Sequence, residues 1–405
     1  MVAQLGIPPA WAGPGETAAP EFREWVRKAS HPYLAGMNTP DHLDRLRTEL
    51  GTVDQDLLAL VARRQALASA IGELKRGLGR PVRDFSQEKE VLERTRRVAD
   101  RLGLSGDLAV ALVRLLIASS LTRQEQDRLA AVGGGVGRRV LIIGGSGRMG
   151  GWLVRFLGSQ GYSVEIADPA PGPASVPRIE HWQTSGLDHD IIVVAATLNA
   201  SSGIMKELAT RRPRGLIFDV GSLKAPLTLG LQALRAAGLK VTSIHPMFGP
   251  DTELLSGRHV IFVDCGVPEA VAEARALFAP TMAVQVEMSA AEHDRMIAYV
   301  LGLSHATNIA FFSALTASGE SAPALERMSS TTFDAQLAVA TQVASENPHL
   351  YFEIQHLNAF GLEPLRALRE AADSILRAVE RGDEAAFTRL MESGREYLGR
   401  RRVEG

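Results

Sequence analysis

Apolar residues recur at two different periods along this chain, and the change from one to the other divides it. Leu43, Leu46, Leu50, Val53, Leu57, Leu60 and Val61 fall three or four positions apart, the spacing of one helix face. Thr39 ahead of Pro40 supplies an N-cap and a first helical proline, with Asp41 and Asp44 in the first turn. The pattern runs to Gly77 or Gly79, predicting a helix of about 35 residues, long against the usual range. After Arg80-Pro81-Val82 the same period predicts a second helix over Ser86–Arg101 and a third over Asp107–Leu129. Three helices led by one this long bury little alone. Two copies interdigitating their long helices would cover the stripe.

At Val140–Ile143 the pattern becomes a short β-branched run of the length of a buried strand. Gly145-Ser146-Gly147-Arg148-Met149-Gly150 follows, then apolar residues at helical spacing over Trp152–Leu157, a stop at Gly161, and a second strand, Val164–Ala167, closed by Asp168. The glycines let the backbone approach a pyrophosphate, which the N–H groups opening the helix can bind. Asp168, 18 positions past Gly150, stands where an acid accepts hydrogen bonds from the adenosine ribose, and it would repel a 2′-phosphate. The predicted cofactor is NAD, held by Gly145, Gly147, Arg148, Met149, Gly150 and Asp168. Ile191–Ala195 and Gly215–Val220 predict further strands of a doubly wound parallel sheet. Beyond Met288 only helical periods remain: Ala290–Ser313, Ala335–Ser345, His349–Leu357, Pro364–Arg381 and Glu384–Tyr397.

Composition narrows the class. The 405 residues suffice for two or three domains, and 44 basic against 46 acidic residues give no bulk attraction to nucleic acid or an anionic membrane. The single cysteine, Cys265, suits a reducing cytoplasm. No apolar run is expected to reach the ~18–20 residues of a membrane span, no signal peptide is visible, and no metal is expected. The expected division is a disordered extension over 1–38, a helical domain over 39–129, a glycine-rich linker over 130–137, a Rossmann-like α/β domain over 138–286, and an all-α domain over 287–405.

Candidate chemistry then sharpens the helical domain. Arg64 and Lys75 are 11 apart, about three turns, and lie on nearly one face; Arg47 points roughly 100° away. Asp84 and Glu88 are i,i+4 neighbours, as are Ser120 and Gln124. A solvated surface would explain any one of them. Together, and with LLALVARRQALASAIGELKRGLGRPVRDFSQEKEVLER (Leu57–Arg94), they resemble the all-helical chorismate mutases of the intertwined-dimer type. The resemblance implies that Arg64 and an Arg47 from the partner subunit grip two substrate carboxylates. Lys75 and Gln124 would hydrogen-bond the ether oxygen, Glu88 would lie near the C4 hydroxyl, and Asp84 and Ser120 would complete the pocket.

In the α/β region, Asp219-Val220-Gly221-Ser222-Leu223-Lys224 and His245-Pro246-Met247-Phe248-Gly249-Pro250-Asp251 fall where doubly wound sheets bind ligands. A histidine directly after a strand is placed as a general base, or as a loop cap. The HPMFGPD motif with the S-x-K before it resembles the prephenate dehydrogenases, and residues 39 to about 400 resemble the bifunctional chorismate mutase–prephenate dehydrogenases. That likeness implies a homodimer in which His245 takes the C4 hydroxyl proton, Ser222 and Lys224 line the site, and His293, Asp294 and His305 match family positions, His305 at a substrate or tyrosine contact. Two places depart from the pattern: Gln342 stands for an arginine that contacts a prephenate carboxylate, and Ala195 and Thr197 stand for a common serine and proline. A neutral amide does not replace an arginine fork in kind. The expected activity is therefore conversion of chorismate to prephenate and then to 4-hydroxyphenylpyruvate. The alternative is the same two steps on 4-amino-4-deoxychorismate and 4-amino-4-deoxyprephenate; a non-enzymatic scaffold retaining the fold is the third reading.

Overall fold

The computed structural model describes residues 40–80 and 83–400. The expectations for residues 1–38 and for Thr39 lie outside the described residues. The chain forms two compact units.

The first unit holds three helices, α1 (Pro40–Gly77), α2 (Phe85–Leu102) and α3 (Gly106–Val132). It also includes two short stretches from far along the chain, residues 252–257 and 279–283. α1 buries none of its side chains: Leu50, Leu58 and Leu74 are 62%, 66% and 66% exposed. Each would contribute about 1.5–3 kcal/mol if covered, so the stripe is the face of an unfinished core. Asp84 opens α2 and Gly103, in the left-handed region at φ 69°, ends it. Ser105 caps α3, which continues through Val132 into the stretch expected as linker. Gly133, in the left-handed region at φ 54°, stops that helix. Glu125 of α3 is 2% exposed, and its carboxylate accepts N–H bonds from Leu255 (2.8 Å) and Met282 (2.5 Å), both within this unit. Burial raises its pKa, which the two N–H groups and Arg128 oppose.

The second unit is built on eight strands: β1 (Arg139–Ile143), β2 (Ser163–Ala167), β3 (Arg178–Ile179), β4 (Ile191–Val194), β5 (Leu216–Asp219), β6 (Val241–Pro246), β7 (His259–Val263) and β8 (Val284–Met288). Their order is β3-β2-β1-β4-β5-β6-β7-β8, parallel except where β7 runs against β6. β1 pairs with both β2 and β4, so strand order reverses there and a crevice opens beyond its carboxyl end. The predicted strands are present with shorter bounds at β4 and β5, while β8 runs across the expected boundary at 286. Helices α4 (Arg148–Ser159), α5 (Leu198–Arg211), α6 (Thr228–Ala236) and α7 (Pro268–Phe278) cover the sheet, over a core of residues such as Leu141, Ile192, Met205 and Leu227.

Seven α-helices follow among the described residues: α8 (Ala290–Ile297), α9 (Ser304–Ser318), α10 (Ala322–Glu326), α11 (Thr331–Ala344), α12 (Pro348–His356), α13 (Leu362–Glu380) and α14 (Glu384–Arg400). The single helix predicted over Ala290–Ser313 is broken by a π turn at Ala298–Leu303. Contrary to the expected lack of any such run, Ala290–Ser318 is apolar and long enough, by composition alone, to cross a membrane. It carries the buried, hydrogen-bonded pair His293 and Asp294.

Candidate functional site

Two groups of chemistry-bearing side chains form, one in each unit. In the first, the Arg64 guanidinium on α1 reaches α3 and donates to Ser120 Oγ and Leu116 O, both at 2.8 Å. Gln65 accepts from the Ser120 hydroxyl at 3.2 Å. Gln124, one turn beyond Ser120, donates from its amide to the Ala68 carbonyl. α1 approaches α3 this closely because position 72 is glycine: a Cβ there would lie 2.9 Å from Gln124 Cγ. Lys75 is half-buried three residues further along α1.

Three further residues of the expected mutase set have their own partners within the chain. Asp84 is the N-cap of α2, its carboxylate taken by the Gln87 N–H at 3.0 Å, so it serves the helix end. Glu88 is gripped in bidentate fashion by Arg83 at 2.8 and 3.0 Å; Arg83, whose other nitrogen donates to Ser256 Oγ at 2.6 Å, was not singled out by sequence. Among the described residues Arg47 pairs only with Asp44, at 3.2 Å on the open surface. It lies 17 residues before Arg64 on one helix, roughly 26 Å along the axis at 1.5 Å per residue. No small ligand spans that distance within one chain.

In the second unit the loop after β1 has the form of a dinucleotide cradle. Gly144 turns at φ 88°, and a Cβ on Gly150 would come 2.2 Å from the Gly144 carbonyl, so the helix start can sit against the strand end only as glycine. Gly147 caps α4 without a side-chain hydrogen bond, leaving the helix start as a place where backbone N–H groups can receive an anion. Asp168 at the end of β2 accepts from the Ser146 N–H (3.0 Å) and the Ala170 N–H (2.9 Å), which fixes its carboxylate beside the loop. These residues fit a dinucleotide. Met149 follows the cap on α4, and Arg148 bonds Glu346 at 2.6 Å and Asp251 at 3.3 Å.

At the carboxyl end of β6 lies a buried, hydrogen-bonded histidine pair. His245 is 5% exposed at the end of β6, its Nδ1 2.8 Å from His293 Nε2. His293 Nδ1 is in turn 2.8 Å from Asp294 Oδ1. The Asp294 carboxylate also accepts the N–H groups of Lys224 (2.8 Å) and Ala225 (2.7 Å). An ionised carboxylate only accepts, so the His293 proton is on Nδ1 and its Nε2 is the acceptor for a proton on His245 Nδ1. That leaves His245 Nε2 with a lone pair. Burial, then Lys224 and His293, lower the His245 pKa well below 6.5. Burial also lowers that of His293, against the raising effect of its Asp294 hydrogen bond.

Lys224, expected to line the site, is wholly buried instead. Its ammonium is 3.2 Å from Asp219 Oδ1 and donates to Gly221 O (2.8 Å) and Ile244 O (2.9 Å), pinning the end of β6 from behind. A charge this far from water is held where its partners are, and none is left for a ligand. Ser222 is half-buried two residues before it. His305 lies past the π turn, stacked on Tyr351 with ring centroids 4.0 Å apart, and burial pushes its pKa down to about 4. Gln342 is exposed near the end of α11 and is not brought to His245 by any hydrogen bond; Glu346, four residues on, receives Arg148. The relay from Asp294 through His293 was missed as a relay: adjacent residues on a helix give no sequence signal that one will face a strand 48 residues earlier.

Comparison with known proteins completes the picture. Residues 46–125 match the family model for chorismate mutase type II, 179–287 that for the nucleotide-binding domain of prephenate dehydrogenase, and 289–393 that for its dimerization domain. The T-protein of Enterobacter agglomerans is 26% identical over 358 residues, 88% of this chain and 93% of that protein. A 4-amino-4-deoxyprephenate dehydrogenase from Streptomyces pristinaespiralis is 29% identical over 290 residues, 67% of this chain and 95% of that one. The prephenate dehydrogenase of Aquifex aeolicus, solved with hydroxyphenyl propionate and NAD+, shares the fold at a TM-score of 0.51 and 18% identity, over 65% of this chain and 98% of that one.

Proposed function

We propose, on the premise that this chain belongs to the bifunctional chorismate mutase/prephenate dehydrogenase family, that it rearranges chorismate to prephenate and then converts prephenate to 4-hydroxyphenylpyruvate. The observation that carries this reading is the hydrogen-bonded line Asp294–His293–His245 at the carboxyl end of β6.

In the first reaction no nucleophile is needed, because the rearrangement is pericyclic. Arg64, already on Ser120, holds one substrate carboxylate, and an Arg47 contributed by a second copy holds the other. Lys75 and Gln124 donate to the ether oxygen as negative charge grows on it, and Glu88, oriented by Arg83, faces the C4 hydroxyl. In the second reaction Gly145, Gly147, Arg148, Met149, Gly150 and Asp168 would hold NAD, which would supply the hydride acceptor. His245 Nε2 accepts the C4 hydroxyl proton while His293 and Asp294 hold the ring in the tautomer that keeps this nitrogen free. Lys224 acts through position, fixing the strand end on which His245 stands. Ser222 and His305 lie on the substrate side, and the ring carboxylate leaves as carbon dioxide as the product becomes aromatic.

The uncovered stripe of α1 and the match to a dimerization domain support a homodimer, and the single thiol of Cys265, half-buried with its pKa pushed up to about 12, is compatible with a cytoplasmic location. The deciding experiment measures NADH formation from chorismate, prephenate, 4-amino-4-deoxychorismate and 4-amino-4-deoxyprephenate separately. Preference of tenfold or more for the hydroxyl compounds upholds this reading. The reverse preference would make Gln342 and Ala195 markers of a changed substrate.

A further inference from the structure

The amino ends of the parallel strands carry a second cavity, at the opposite end of β6 from His245. Arg138, residues 186–190, residues 211–216, Lys240 and Glu273 enclose about 610 Å³. Doubly wound sheets bind dinucleotide and substrate at the carboxyl ends of their strands, so neither reaction uses this space. Five cations line it, Arg138, Arg211, Arg212, Arg214 and Lys240, against three carboxylates, Asp188, Asp190 and Glu273.

The carboxylates are already engaged. Glu273 is shared between Arg138 (2.9 Å) and Lys240 (3.3 Å), and Asp188 is taken by Arg139 at 2.7 Å. Asp190 accepts the Arg139 N–H at 2.8 Å. Arg211 spends its guanidinium on the carbonyls of Gln183 and Ser185, a role that its place in the last turn of α5 explains without any ligand. No such account covers Arg212 and Arg214. Both are exposed, and among the described residues neither side chain has a hydrogen-bond or ion-pair partner.

The backbone points the same way. Leu187 (φ 55°) and Arg212 (φ 50°) are the two non-glycine residues with left-handed backbone among the described residues, and both lie in this wall. Leu187 fills the core with its side chain, which accounts for leucine there. Glycine is the usual residue at a left-handed helix end; at 212 the chain accepts the strain and places a free guanidinium. His189, in the same wall, is buried, with its Nδ1 unpaired. Strained residues persist where the surroundings require them, and ligand clamps are one such place.

We propose that this cavity binds a small multivalent oxyanion, a phosphorylated or polycarboxylate compound, gripped by Arg212 and Arg214. The site is joined to the chemistry by one strand: β6 begins beside Lys240 and carries His245 one residue before its end, a rise of roughly 17 Å from Lys240 at 3.3 Å per residue.

The test is calorimetry on the full chain with NAD saturating, using inorganic pyrophosphate and citrate as probes at fixed ionic strength. Wild type should bind at least one of them, the tighter naming the ligand class. Arg212→Gln/Arg214→Gln should bind it at least tenfold more weakly while NAD affinity and both basal activities stay unchanged. Three outcomes would overturn the proposal: no binding of either probe, equal binding by the variant, or competition with NAD. The last two would assign the anion to Arg64 and Lys75 or to the glycine-rich loop.

Discussion

His245 owes its chemical state to groups behind it. Replacing His293 with asparagine removes the acceptor that holds His245 Nδ1–H, so dehydrogenation should fall about 10²-fold or more in kcat while NAD affinity and mutase activity stay within twofold. Because burial, Lys224 and His293 all disfavour the imidazolium, His245 stays neutral as pH drops through 6.5. Its contribution to folding stability is complete above that unfolded-state value and is lost progressively as pH falls from there through the lower folded one. The acid limb of kcat/KM for the dehydrogenase should therefore lie below pH 6.5, and a limb at or above 6.5 would exclude His245 as the base. Lys224 gives a contrasting case. A Lys224→Met protein leaves the Asp219 carboxylate buried without its cation, so the expected result is a loss of about 3–5 kcal/mol in a denaturant melt, not a raised KM in a well-folded enzyme. The S-x-K motif was legible in the sequence, but not which of its side chains faces a ligand. That depends on Asp219 and two carbonyls brought together by three strand ends.

At the level of elements, periodicity carried most of the architecture. The strand, glycine loop, helix and acid over 139–168 are laid out as predicted because each step is local: β-branched run, tight turn, helix stop. What stayed hidden depends on contacts distant in sequence. The π turn at Ala298–Leu303 keeps a helical apolar spacing, so it cannot be told from α-helix by pattern, yet it sits between His293 and His305. Such insertions are frequent at functional sites. Two substitutions test element ends directly. Gly150→Ala forces a Cβ against the Gly144 carbonyl, and the enzyme should lose measurable NAD binding while the helical unit keeps its mutase rate. Asp84→Ala should cost about 1 kcal/mol of stability, the ordinary worth of an N-cap, with a mutase kcat/KM within threefold of wild type. A hundredfold loss would return Asp84 to the substrate pocket.

For the whole molecule, the leucines of α1 and the 26 Å or so between Arg47 and Arg64 predict that mutase activity is a property of two chains. Dilution in an activity assay should lower the specific mutase rate in step with the dimer fraction measured by sedimentation. If a monomeric sample keeps full rate, Arg47 has no part in the site. The departures at Gln342 and Ala195 were readable from sequence; their meaning was not, because what holds the second carboxylate is a question of arrangement in space.

The helical unit contains residues 252–257 and 279–283, and through them Glu125 obtains both its N–H bonds. A gene cut once after codon 133 would therefore not release a self-sufficient mutase: its product would carry a buried carboxylate stripped of its donors.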